Sequence, residues 1–128
     1  MFTAFLTYFS VHYDPQNFSF EDFCNELDLD LKETQENGTE DHIFIGFHYD
    51  YVEDVNIMVR NSLKTLFGKE EILVKLKEKY NLTYKLQRVP TLFVNRRINV
   101  SLDRDIIEFL YKSQTIDNLD YFIDTSEE

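Results

Sequence analysis

From Phe2 to Tyr13 the chain alternates with period two: Phe5, Thr7, Phe9, Val11 and Tyr13 fall on one side, and Ala4, Leu6, Tyr8, Ser10 and His12 on the other. That period is a strand's, and a strand with a core-grade face has to be housed in a sheet. Asp14-Pro15 ends it. A second alternating run, His42 to Tyr51, sets Ile43, Ile45, Phe47 and Tyr49 against Phe44, Gly46, His48 and Asp50. Any fold for this chain must accommodate both strands.

Between and after them the period changes to that of helices. Ser19, with Asp22 three residues on, predicts a helix N-terminus. Phe20, Phe23, Cys24 and Leu27 follow at helical spacing, so the first helix is expected over 20–27, with Cys24 a buried structural thiol on its apolar face. The stretch 28–41 is acidic; Leu29-Asp30-Leu31 is expected as a short strand feeding a turn at Asn37-Gly38. Val55, Met58, Val59, Leu63 and Leu66 predict a helix ended by Gly68, and Ile72, Leu73, Leu76 and Tyr80 a second. A third strand begins near Thr83. Its apolar phase changes around Pro90, which predicts a bulge or break there, at an edge or bend. Ser101 is expected to cap a helix carrying Leu102, Ile106, Phe109 and Leu110, and a last strand covers 116–123.

The halves echo each other, since Asn17-Phe18-Ser19-Phe20 and Asn99-Val100-Ser101-Leu102 each introduce a helix after a strand. Two strand-helix-strand units predict an α+β two-layer sandwich of ferredoxin-like type, with the helical pair of residues 55–80 inserted between them. A single domain over 1–124 is expected, with 125–128 a disordered tail. With 128 residues, 43% of them hydrophobic and 16% aromatic, the chain can build a core without crosslinks, and its single cysteine excludes an internal disulfide. The opening segment has no basic leader and is too short to span a bilayer, so a cytoplasmic protein without membrane contact is expected. The four Asn-x-Ser/Thr triplets, at Asn17, Asn37, Asn81 and Asn99, are then cap and turn chemistry.

Charge is distributed unevenly. Residues 1–59 hold 13 acids and one base, residues 60–112 hold 12 bases and 6 acids, and residues 113–128 hold 5 acids and no base, for a net −11. Phosphate fields repel such a chain, which excludes ordinary nucleic-acid binding and favours a basic protein partner. The acids Asp28, Asp30, Glu33 and Glu36 are the candidate partner-binding residues.

The sharpest local pattern is a repeated tripeptide, His12-Tyr13-Asp14 and His48-Tyr49-Asp50, closing the first and second strands. In each, His and Asp share a face. Were the two strands parallel, as a ferredoxin-like unit requires, His12, Asp14, His48 and Asp50 would gather at one end of the sheet, where they could hold zinc or another divalent ion or run hydrolytic chemistry. No catalytic residue is assigned, because no phosphate loop, nucleophile elbow or HExxH helix is present. Arg88, Arg96, Arg97 and Arg104 form a basic cluster, expected to be a charged turn that answers the acidic half.

Val89-Pro90-Thr91, followed by a strand, a turn and a helix, resembles the cis-proline segment of thioredoxin-like and glutathione-transferase-like domains, here without a redox dithiol, which implies a degenerate non-redox module as an alternative. Across the whole chain, the aromatic strand ending in Asp-Pro (Phe9 to Pro15), the helix ending Glu26-Leu27-Asp28-Leu29 and the closing helix Ser101-Leu102-Asp103 to Phe109-Leu110, followed by Ile116 to Tyr121, resemble an uncharacterised bacterial family, the domain of unknown function 4279. That resemblance implies only a small, soluble bacterial protein, of a kind of which some members are expected to serve as immunity or interaction proteins. It brings no activity and no site residues.

Overall fold

The computed structural model describes residues 2–93 and 97–125. In chain order these form β1 (Thr3–His12), α1 (Phe20–Leu27), α2 (Leu31–Glu36), β2 (His42–Val52), α3 (Val55–Leu63), α4 (Glu70–Tyr80), β3 (Thr83–Phe93), α5 (Arg104–Lys112), β4 (Ile116–Leu119) and β5 (Phe122–Asp124). The architecture is α+β, with a mixed five-stranded sheet in the order β2-β1-β3-β4 and β5 continuing beside β3.

Helices pack on one face of that sheet. Phe5, Phe9, Val11, Ile43, Tyr84 and Leu86 from the strands meet Phe23, Leu27, Val59, Leu63, Leu73, Ile106 and Phe109 from the helices in one buried cluster. Completely burying an aromatic or aliphatic side chain of this kind contributes about 1.5–3 kcal/mol, so this single core is the main source of stability. Tyr84 lies inside it with its hydroxyl satisfied by the Leu73 carbonyl; burial pushes that phenol well above its ordinary range.

Local chemistry explains most element ends. Ser19 Oγ accepts from the Asp22 amide and starts α1, and Asp28 closes it in the left-handed conformation. Asp54 caps α3 through the Asn56 amide. The Asn56 side chain then accepts from the Asp103 amide and donates to the Ser101 carbonyl. Together with Arg60, which is paired to both Asp103 and Asp105, it joins the start of α3 to the start of α5.

Several expectations are corrected. The strand order is not ferredoxin-like: β1 and β2 are direct neighbours and antiparallel, with Thr3 opposite Val52 and His12 opposite His42. The second half alone makes a parallel unit, β3 to β4 through α5. Leu29-Asp30-Leu31 is no strand; Asp30 Oδ1 accepts from the Glu33 amide and caps α2. The cap of α5 is Asp103, two residues beyond Ser101.

The irregularity expected at Pro90 falls in the neighbouring strand. β3 runs unbroken from Thr83 to Phe93, with Pro90 opposite Phe5 of β1. On its other side, β4 pairs up to Arg88 and β5 resumes at Thr91, so the break in the last strand lies beside Val89-Pro90. Proline has no amide hydrogen to donate, and the ladder is interrupted where that donor is missing.

Candidate functional site

The face of the sheet opposite the helices carries no helix among the described residues, and it divides into an aromatic end and a polar end. A bulge in β2 sets the aromatic end. Between the pairs Thr7–His48 and Phe9–Ile45, Tyr8 alone faces both Gly46 and Phe47. One extra residue reverses the side-chain phase. Before the bulge Ile43 and Ile45 sit on the core side; after it Tyr49 and Tyr51 pair with Leu6 and Ala4 on the uncovered side. Tyr49 therefore does not continue the core face of Ile43, as strict alternation predicted.

Gly46 makes the bulge possible. Its φ is +66°, and a Cβ there would lie 2.1 Å from the Ser62 carbonyl oxygen. The bulge thus lets α3 approach β2 at backbone distance while turning the tyrosines outward. Phe47, Tyr49 and Tyr51 are 58%, 61% and 64% exposed. Tyr8 anchors the group, stacked on Phe47 at 5.7 Å and edge-on to Phe44 at 4.9 Å.

β2 is also the edge of the sheet. The bridge Gly38–Ile43 and the bond from the Phe44 amide to the Asn37 carbonyl cover its first residues. From Ile45 onward no strand pairs with its outer side among the described residues. The Tyr51 amide is held by the carboxylate of Asp50.

Of the candidate acids, Asp28, Asp30 and Glu33 are exposed beside this edge. With Leu29, Phe44 and Ile45 they line a hollow of about 210 Å³ between α2, β2 and α3. Glu36 lies apart from it and faces Lys32 at 4.0 Å.

The two His-Tyr-Asp segments do not come together. Antiparallel pairing sets His48 opposite Thr7, five positions along β1 from His12, which is roughly 16 Å at strand rise. Asp14 lies in the turn after β1, accepting from the Gln16 amide. Among the described residues no three or more His, Cys, Asp or Glu side chains are grouped to hold a metal ion.

At the polar end, His12 meets the third histidine, His42. The register pairs them directly across β1 and β2, and their rings lie 3.7 Å apart between centroids. Asp41 Oδ1 is 2.5 Å from His42 Nδ1. Burial, then the neighbouring His42 and Lys85, hold His12 below the ordinary imidazole range. The two rings sit in a depression of about 440 Å³ that Ser10, Lys85, Gln87 and Asn118 line on its polar side and Tyr8 and Phe44 on its aromatic side. The pairing was hidden in the sequence because His42 opens its strand, outside the repeated tripeptide, and only the antiparallel register brings it to His12.

Two of the four clustered arginines are engaged within the fold. Arg88, 4% exposed, makes a two-pronged ion pair with Asp117 at 2.8 and 2.7 Å and donates to the Val100 carbonyl. Arg104 pairs with Glu108 within α5; Arg96 lies outside the described residues. Cys24 is buried, and that burial raises its thiol pKa. Pro90 sits inside a strand, and no cis peptide occurs among the described residues. No described helix is long and apolar enough to cross a membrane. The chain matches no family model, and no curated protein or solved structure matches it.

Proposed function

We propose that this protein is a binding module for a basic protein partner, acting in the manner of an inhibitor or immunity protein. The observation that carries the reading is the row Phe47, Tyr49 and Tyr51, exposed on an edge strand that no described strand pairs on its outer side, and whose preceding residues Phe44, Ile45 and Gly46 share a hollow with Asp28, Asp30 and Glu33. Exposed aromatics are typical anchors of protein interfaces, and their faces attract Lys and Arg. An unpaired edge offers backbone hydrogen bonds to an extended segment. The charge of the first 59 residues selects the partner's sign: a second copy of this chain would bring acids against acids, whereas a cationic surface is drawn in.

The test starts with capture by the purified chain at about 50 mM salt, followed by binding measurements on the isolated partner. Screening at about 500 mM salt should weaken association strongly. Asp28→Lys with Asp30→Lys and Glu33→Lys should do the same, and Tyr49→Ala with Tyr51→Ala should weaken it about tenfold or more. A partner indifferent to salt, to charge reversal and to loss of the tyrosines would remove the reading.

A further inference from the structure

We propose that His12 and His42 form a two-imidazole site for a divalent transition-metal ion, Cu²⁺, Zn²⁺ or Ni²⁺, at the polar end of the uncovered sheet face. This site adjoins the proposed partner surface through Tyr8 and Phe44 but does not rest on that reading, and it retains only His12 from the grouping suggested by the repeated tripeptide.

The geometry has three parts. First, the histidines are directly opposed on adjacent antiparallel strands, so the backbone fixes both Cα positions before any ion binds. Two imidazoles that ligate one ion at about 2.0–2.1 Å and a tetrahedral angle hold their ring centroids about 5 Å apart; the rings, 3.7 Å apart and edge to face, reach that arrangement by turning apart about their side-chain torsions while the opposed backbones stay in place. Second, Asp41 occupies His42 Nδ1. With Nδ1–H donating to the carboxylate, Nε2 keeps its lone pair for the metal, the arrangement by which a carboxylate orients a ligating histidine. Third, the depression of about 440 Å³ is open and polar, with room for water or a small anion to fill the remaining coordination positions. Lys85 on one flank opposes a cation and Asp41 on the other favours one; both act on His12. Neutral imidazoles select zinc, copper and nickel over magnesium or calcium, with copper bound most tightly.

The probe is the metal ion alone, Cu²⁺ or Zn²⁺, titrated into the intact chain at pH about 7.5 by calorimetry, with electron paramagnetic resonance of the copper form. The expected result is one equivalent of copper with nitrogen ligands. His12→Ala or His42→Ala should lower affinity at least about tenfold, and Asp41→Asn about 10–100-fold. His48→Ala, on a site roughly 16 Å away, should leave affinity unchanged. Thermal unfolding checks that each variant is folded, and His12→Gln and His42→Gln repeat the measurement with side chains closer in volume. Binding that survives loss of His12 or His42, binding lost with His48, or no binding up to about 1 mM ion overturns the proposal.

Discussion

Gly46→Ala is the most informative single perturbation of this fold. Two costs add. The left-handed backbone at φ +66° disfavours any residue with a Cβ by about 1–2 kcal/mol. The new methyl would also lie 2.1, 2.6 and 2.7 Å from the oxygen, Cα and carbonyl carbon of Ser62, all backbone atoms that no rotamer change can move aside. Relieving that overlap means pushing α3 off β2, an overpacking cost of about 1–3 kcal/mol or more. The sum, about 2–5 kcal/mol, is a large part of the roughly 5–15 kcal/mol by which domains are stable. Gly68 supplies the control: its φ is +84°, but nothing lies within 4 Å of a Cβ there. Gly68→Ala should therefore show the backbone cost alone, about 1–2 kcal/mol. Urea unfolding of both variants separates the two costs through the midpoint at constant m value. Ser62→Gly in the Gly46→Ala background should not restore stability, because the clashing atoms remain. Equal losses at Gly46 and Gly68, or rescue by Ser62→Gly, would refute the close-approach account of the bulge.

Other substitutions probe the remaining structure. Asp117→Ala strands the buried Arg88 guanidinium; it should cost about 3 kcal/mol, the low end for a broken buried pair because Asp117 is a third exposed, while Arg88→Met should cost less. Asp22 is held below the ordinary carboxylate range by Lys79 and Tyr80, and Asp105 by Arg60. A depressed folded-state pKa gives stability that is present above the unfolded value, near 4, and lost as pH falls through the folded value. Acid unfolding should therefore begin below about pH 4, and in the variants Asp22→Asn and Asp105→Asn this part of the pH dependence should disappear. Asp54→Ala removes the α3 cap and should cost about 1 kcal/mol in urea unfolding. Alkylation of Cys24 should follow global unfolding, slow in the native chain and fast in denaturant; rapid native labelling would contradict its burial.

What could be read in the sequence follows a physical rule. Features set by neighbours along the chain were legible: Phe20–Leu27 starts at its Ser19 cap as the spacing predicts, and the helix Glu70–Tyr80 and the strand from Thr83 lie where their periods put them; the helix from Val55 follows its stripe but ends at Leu63, with Leu66 carried in the turns before Gly68. One local signal was overlooked, since Asp30 with Glu33 three residues later is a cap pattern that outweighs the strand-like Leu29-Asp30-Leu31. Features set by pairing across strands were not legible. Gly46 in an alternating run does not reveal that it bulges and turns Tyr49 outward, because the cause is the backbone of Ser62, sixteen residues on. The same holds for the candidate sites. Exposure of Asp28, Asp30 and Glu33 could be anticipated from composition, but their position beside an aromatic edge could not. His12 was recognised and its actual neighbour was not, because choosing His42 over His48 needs the sign and register of β1 against β2.

The interruption beside Pro90 gives the end of the chain its own folding unit. β5 is three residues long, its Phe122 and Ile123 are 61% and 65% exposed, and its link to β4 passes the position where β3 offers no amide hydrogen. Little buried surface opposes its release, so hydrogen exchange over 122–124 should report local opening well before β4 or the core gives way. When β5 lifts, Thr91 and Leu92 lose their strand neighbour on the side of the sheet away from β2. The molecule therefore carries its own reversible strand addition, and a competing extended segment must displace β5 to reach that side.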